Sequence, residues 1–150
     1  MNYDSRVDTL THIAKVGARI DEIREKLNDR AGMHDRSKLE EPEKSAFDLM
    51  TVQLRALVYG SDEYKAALKA NQPTIDHHYA HNSHHPEHYP NGIAGMSLLD
   101  LIEMLADWKA ATERVKQGSM AQSLGVNRDR FGIDPQLFAI IENTVKELGW

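Results

Sequence analysis

The chain has 150 residues, 41% of them hydrophobic and 27% charged, the proportions of one soluble globular domain large enough to bury an ordinary core without staples. It has no cysteine, which excludes disulfides and thiolate metal sites, so any bound metal must be held by nitrogen and oxygen. A net charge of -5 argues against a general binder of nucleic-acid backbones, and the lack of a signal-peptide core or a membrane-length apolar run points to a cytoplasmic protein.

Taken in chain order, Val7, Leu10, Ala14, Ile20, Ile23 and Leu27 recur at helical spacing and predict a first helix from about Ser5 to Asn28. His12 lies near the edge of its apolar face, a place for a core or boundary residue as much as for a ligand. Asn28-Asp29-Arg30-Ala31-Gly32 reads as a turn delivering the chain into His34-Asp35 and Lys38. Adjacent His and Asp at a turn-to-helix junction can give one divalent ion a nitrogen and an oxygen, and Lys38, one turn on, could reach a phosphate oxygen. The plainer alternative is that Asp35 caps a short helix and His34 is a loop residue. Pro42 suits the first turn of the next helix, whose stripe of Phe47, Met50, Leu54, Leu57 and Val58 is expected to stop at Gly60. Ser61-Asp62-Glu63 then opens a short helix carrying Tyr64, Ala67 and Leu68.

Between Asp76 and Tyr89 stand six of the chain's eight histidines. If the segment is helical, His77, His78, His81, His84 and His85 fall within an arc of about 120°. Pro86 disfavours helical geometry at His85, so the helix is expected to stop near His84 and leave His85 and His88 in a turn. On a continuous helix His78 and His85 would stand about 10 Å apart along the axis, and they could share an ion only if the chain folds back at Pro86. Imidazole is the commonest transition-metal ligand and titrates near neutrality, so a metal or proton-transfer site is the functional expectation. A surface tract that binds metal adventitiously is the bland one.

Tyr89-Pro90-Asn91-Gly92 is turn chemistry, and a helix from about Met96 to Lys116 follows, apolar around most of its circumference. On it Asp100, Glu103 and Asp107 lie within about 60° of one another. Such carboxylates on a buried helix call for compensation by a metal, unless Asp100 serves the helix N-terminus, Glu103 is solvated and Asp107 pairs with a base such as Arg114. Residues 117–133 read as a long connection with at most a short helical turn. Asp134-Pro135 starts a final helix with Leu137, Ile140, Ile141, Val145 and Leu148, stopped by Gly149. Six helices and no convincing strand predict an all-α single domain over 1–150.

The order His12, His34-Asp35 with Lys38, clustered histidines and Asp107 resembles the HD superfamily of metal-dependent phosphohydrolases. More closely, His34-Asp35-Arg36-Ser37-Lys38, the run from His77-His78 to Asn82-Ser83-His84-His85-Pro86-Glu87, and Glu103-Met104-Leu105-Ala106-Asp107-Trp108-Lys109-Ala110 resemble an uncharacterised, phage-associated family of small HD-like proteins. Its pattern is HDxSK, HHxxxNxHH and EMxxDWxxA, and the likeness spans about residues 10–112. The order is also similar to that of the HD-GYP cyclic-dinucleotide phosphodiesterases, although the Gly-Tyr-Pro element is absent.

The resemblance implies an HD-like helical bundle that hydrolyses a phosphate ester or anhydride, of a nucleotide or a related compound, in the host cytoplasm if the chain is phage-encoded. His12, His34, Asp35 and Asp107 would hold one divalent transition metal (Mn, Fe, Co, Ni or Zn). His78, His84 and His85 would bind a second ion or donate protons. Lys38 would offset phosphate charge, and Glu103 would orient a ligand or water. The implied partner is a small phosphorylated substrate, with no membrane, no general nucleic-acid binding, and a homo-oligomer left open. Two other readings fit the same residues: an HD-fold diiron oxygenase, and a non-catalytic binding protein that uses metal to hold its helices.

Overall fold

Helical spacing of apolar residues and the lack of alternating patterns lead to one kind of element. In a computed structural model that describes residues 3–58, 61–114 and 118–150, every regular element is helical, with seven α-helices, three 3₁₀ turns and no strand among those residues. No described helix is long and apolar enough to cross a membrane. The chain divides into two compact units, Met1–His34 and Asp35–Trp150.

The first unit is a single helix, α1 (Arg6–Met33). It runs through the turn expected at Asn28–Gly32, because no proline interrupts it and an interior glycine costs only about 1 kcal/mol. Ion pairs one turn apart, Arg24 with Asp21 at 3.2 Å and Arg19 with Glu22, support it. Arg30 in the last turn suits the dipole.

The second unit begins with a 3₁₀ turn (Arg36–Leu39) and continues through α2 (Glu43–Arg55), α3 (Asp62–Ala70) and α4 (Gln72–His81). Pro42 stands one position before α2 rather than inside its first turn, and α2 stops at Arg55, before Leu57 and Val58. The stop expected at Gly60 lies outside the described residues. Ser61 caps α3 by accepting a hydrogen bond from the Tyr64 amide at 3.1 Å. Helix α4 packs on α2 and on the 3₁₀ turn. It ends at His81, three residues before the expected stop, where extended Asn82 turns its Nδ2 back to the carbonyl of His78 at 2.8 Å.

Two 3₁₀ turns (Pro86–His88 and Gly92–Gly95) lead into α5 (Leu98–Glu113). The Met96 start expected for this helix is two residues early, since Ser97 is its cap, and the end expected at Lys116 lies outside the described residues. Residues 117–133 are not the expected connection. They carry α6 (Met120–Phe131), capped by Ser119 at one end and at the other by Gly132, whose φ of +59° favours glycine. Last comes α7 (Pro135–Glu147), with Asp134 accepting from the Gln136 and Leu137 amides.

Helix α5 is central because it serves two sides. Leu101, Met104 and Leu105 are buried against Met120 and Leu124 of α6, Ile133, and Ile141 and Val145 of α7, with Trp108 stacked on Phe131 beside them. Each buried side chain of this kind contributes roughly 1.5–3 kcal/mol. Glu103 and Asp107 are left for a second, polar side.

Candidate metal centre

The polar side of the second unit is assembled by three carboxylate-centred devices. Asp35 adopts a left-handed conformation (φ 56°), which Asp tolerates better than most residues, and so turns its carboxylate back beside its own 3₁₀ turn. Lys38 then reaches Asp35 Oδ2 at 2.6 Å while lying over the Phe47 ring. Asp100 is the second device. With Ser97 it forms a reciprocal capping box at the start of α5, and it also accepts from Ser83 Oγ at 2.7 Å and Tyr89 OH at 2.9 Å. Burial alone would raise its pKa, but these donors outweigh it and hold Asp100 well below the usual carboxylate range. Asp100 thus pins the loop that carries His84 and His85 to the helix that carries Glu103. Gly95 permits the close fit, since a Cβ there would stand 2.7 Å from Tyr89 Cβ.

Glu43 is the third device. Fully buried at the start of α2, it receives His78 Nδ1 on Oε2 at 2.9 Å, Ser37 Oγ on Oε2 at 2.9 Å, and His77 Nδ1 on Oε1 at 2.8 Å. Burial would raise its pKa, yet the hydrogen bonds from His77, Ser37 and His78 win and lower it. An ionised carboxylate only accepts, so His78 carries its proton on Nδ1 and turns the lone pair of Nε2 inward. Asn82, donating to Ser37 Oγ at 2.8 Å and to the His78 carbonyl, fixes the same ring from behind.

Three histidine nitrogens and one carboxylate oxygen converge as a result. His78 Nε2 is 3.0 Å from His85 Nε2 and 3.2 Å from Asp35 Oδ1, and His84 Nε2 is 3.6 Å from Asp35 Oδ1. Donor atoms of all four residues lie within 4.8 Å of one another. Two ligands bound at about 2.0–2.1 Å to one ion stand about 2.9 Å apart at right angles and about 3.3 Å apart at the tetrahedral angle. The 3.0 and 3.2 Å spacings match such edges, and the 3.6 Å between His84 and Asp35 is a few tenths of an ångström wider. His84 Nδ1 lies 3.1 Å from Glu103 Oε1, the carboxylate–histidine arrangement that aims the other ring nitrogen at a metal. Burial, and then the neighbouring His84 and His78 rings, lower the His85 pKa to about 3 against the pull of Asp107 and Asp35, so His85 is neutral and able to ligate. Asp107 brings a carboxylate oxygen within 4.8 Å of one from Asp35. Four carboxyl groups (Asp35, Glu43, Glu103, Asp107) stand around the cluster with the ammonium of Lys38 on Asp35, an arrangement that a divalent cation suits. The residues present therefore fit an ion bound by nitrogen and oxygen.

The chain folds back between His78 and His85, which lets residues seven apart meet; this happens because the helix ends early, at His81. His34 is the last residue of the first unit. His12 sits on the same unbroken helix about six turns earlier, about 33 Å along the axis, so it cannot share an ion with His34 as the turn expected at residues 28–32 would have allowed. His88 is engaged elsewhere, its Nδ1 3.0 Å from the Tyr79 carbonyl. Sequence reasoning passed over Glu43, which beside Glu40 and Glu41 looks like ordinary helix-start acidity. Ser37 and Asn82 stood inside the quoted motifs without a role.

Beside the cluster, an open cavity of ≈ 580 Å³ is lined by Gln72, Tyr79, Glu87, His88 and Arg130 among others. Tyr79 is its shared wall, with its ring centroid 4.8 Å from that of His85. Arg130 Nη2 reaches Glu87 Oε1 at 2.6 Å and Tyr79 OH at 3.3 Å.

The family model for DUF5662, described as a family of unknown function, matches residues 1–147. The chain belongs to that family. No curated protein and no solved structure gives a match. What DUF5662 contributes through this chain is thus an all-helical architecture with a buried His/Asp/Glu cluster able to hold a metal ion.

Proposed function

We propose that the protein is a metal-dependent phosphohydrolase of HD type, acting on a nucleotide or related phosphate ester. The observation that carries this is the convergence of Asp35 Oδ1 with the Nε2 atoms of His78, His84 and His85, beside the ammonium of Lys38. These four residues would hold a divalent transition ion, with Asp107, whose carboxylate stands beside that of Asp35, as a further ligand. Bound there, the ion would supply Lewis-acid polarisation of a phosphoryl oxygen and a water of lowered pKa.

The chain's own residues do the rest. Glu43 and Glu103 hold His78 and His84 in the tautomers that aim Nε2 inward. Lys38 has three ammonium protons and gives one to Asp35, leaving donors for a phosphate oxygen at the rim of the site. The cavity behind Tyr79, within the 300–1,000 Å³ range of small-ligand pockets, takes the organic part of the substrate, with Arg130 as its cation.

The test is a phosphate-release screen across nucleotides with the metal-loaded protein, repeated after chelation and with Asp35→Ala. Release that disappears in both controls supports the proposal. A protein that binds metal through these residues and releases phosphate from none of the nucleotides contradicts it.

A further inference from the structure

In the apolar stripe of α2, Phe47 stays half-buried and takes no part in the hydrophobic core around α5. It stands one turn after Glu43, on a helix that packs on the 3₁₀ turn of Arg36–Leu39 and on α4. Two groups of the inner cluster's surroundings meet its ring. The Lys38 ammonium lies over it, 5.1 Å from the centroid, and the His78 ring stands nearly perpendicular to it, with centroids 5.6 Å apart and planes 77° from parallel. Lys38 Nζ also reaches Asp35 Oδ2 at 2.6 Å, and the lysine side chain is 33% exposed, so its ammonium is partly desolvated against a carboxylate and an aromatic face.

The two contacts do different things. A carboxylate neutralises an ammonium, whereas the negative face of an aromatic ring attracts it and leaves its charge whole. Asp35 Oδ2 loses part of its charge when Oδ1 serves as a ligand, which loosens its hold on Lys38, but the neutral ring keeps its own. Lys38 hangs on a flexible four-carbon stem, whose freedom is lost wherever the ammonium is to meet a phosphate oxygen. We infer that Phe47 is the positioning residue of Lys38, its ring keeping the ammonium charged and in place at the rim of the inner cluster for an anionic oxygen. The inference rests on the proposed role of Lys38 in binding phosphate. Because the same ring packs on His78, deleting it would disturb the cluster as well, so the test alters the charge distribution of the ring and keeps its shape.

The experiment replaces Phe47 by pentafluorophenylalanine, whose face is positive where that of phenylalanine is negative, and titrates the Zn²⁺-loaded protein with inorganic phosphate by calorimetry. Wild type, the fluorinated protein, Lys38→Ala and the combination of the two changes form a double-mutant cycle, and Phe47→Tyr, which keeps a negative face, serves as the conservative variant. The expected result is phosphate affinity lowered about two- to five-fold by fluorination in the presence of Lys38, unchanged by it in the Lys38→Ala protein, and close to wild type in Phe47→Tyr. A ring that only packs would give the same affinity with and without fluorine. Lys38→Ala weakening phosphate binding while fluorination does not overturns the inference and leaves the role of Lys38 standing. Equal phosphate affinity of Lys38→Ala and wild type removes the role of Lys38, and the positioning role of Phe47 with it.

Discussion

Glu43→Gln preserves the shape of the side chain and removes its charge. The wild-type carboxylate accepts three hydrogen bonds, at 2.8, 2.9 and 2.9 Å, inside a fully buried setting. Bonds to a charged acceptor contribute about 1.5–3 kcal/mol each and neutral ones about 0.5–1.5, so neutralising the group costs on the order of 3 kcal/mol of stability. The amide NH₂ must also face either His77 or the pair His78 and Ser37. Where it faces His78, that ring has to move its proton to Nε2, and the inner cluster loses a lone pair. Removing an orienting carboxylate of this kind lowers metal affinity 10–100-fold, about 1.4–2.7 kcal/mol. Calorimetric titration with Zn²⁺ reads the affinity, and Glu41→Gln, at an exposed position, controls for lost charge. A folded Glu43→Gln protein, by circular dichroism, that binds Zn²⁺ as tightly as its parent would refute the orienting role.

Asp35→Ala is expected to lose inner metal and hydrolysis together, whereas Lys38→Ala keeps its metal and loses about 10-fold or more in kcat/KM, about 1.4 kcal/mol; equal activity of Lys38→Ala and wild type would remove Lys38 from phosphate handling. Asp100→Ala removes the α5 cap and leaves the Ser83 and Tyr89 hydroxyls without their acceptor, so chemical denaturation should show a loss of about 2–4 kcal/mol, and an unchanged midpoint would contradict the pinning role. In metal-free protein the depressed His85 pKa of about 3, against 6.5 unfolded, means the unfolded chain binds more protons between those values. Stability should therefore fall as pH drops from 6.5, by up to about 1.4 kcal/mol per unit, with Glu43 and Asp100 adding to the loss below their ordinary values of 4.5 and 3.8. A His85→Gln protein with the same slope between pH 6.5 and 5 would show that His85 is not the group responsible.

The all-helical class was legible because apolar residues on α2, α5 and α7 recur at helical spacing and the caps at Ser61 and Asp134 are strong local signals. Helix α6 was not: Gln122, Ser123, Gly125 and Asn127 give it the composition of a loop, and only burial of Met120 and Leu124 against α5 and α7 shows what holds it. At the site, the motifs marked Asp35, the paired histidines and Asp107, since these residue types at these spacings have few structural uses. The partition of the histidines was hidden. A one-dimensional arc put His77, His78, His81, His84 and His85 on one face, but α4 stops at His81, so His78 joins the folded-back His84 and His85 while His77 turns to Glu43 and stacks on the exposed His81. Glu43 was invisible for a simpler reason. Nothing in sequence separates a glutamate buried between two imidazoles from one solvated at a helix start.

Asp35, His78, His84 and His85 are proposed to hold one ion together. A crystal of the Zn²⁺-loaded protein, with anomalous difference density recorded at the zinc edge, tests it directly. The expected result is a peak about 2.0–2.2 Å from Asp35 Oδ1 and from the Nε2 atoms of the three histidines. Zinc found only at other residues, or no peak at the cluster in a crystal soaked to saturation, would contradict it.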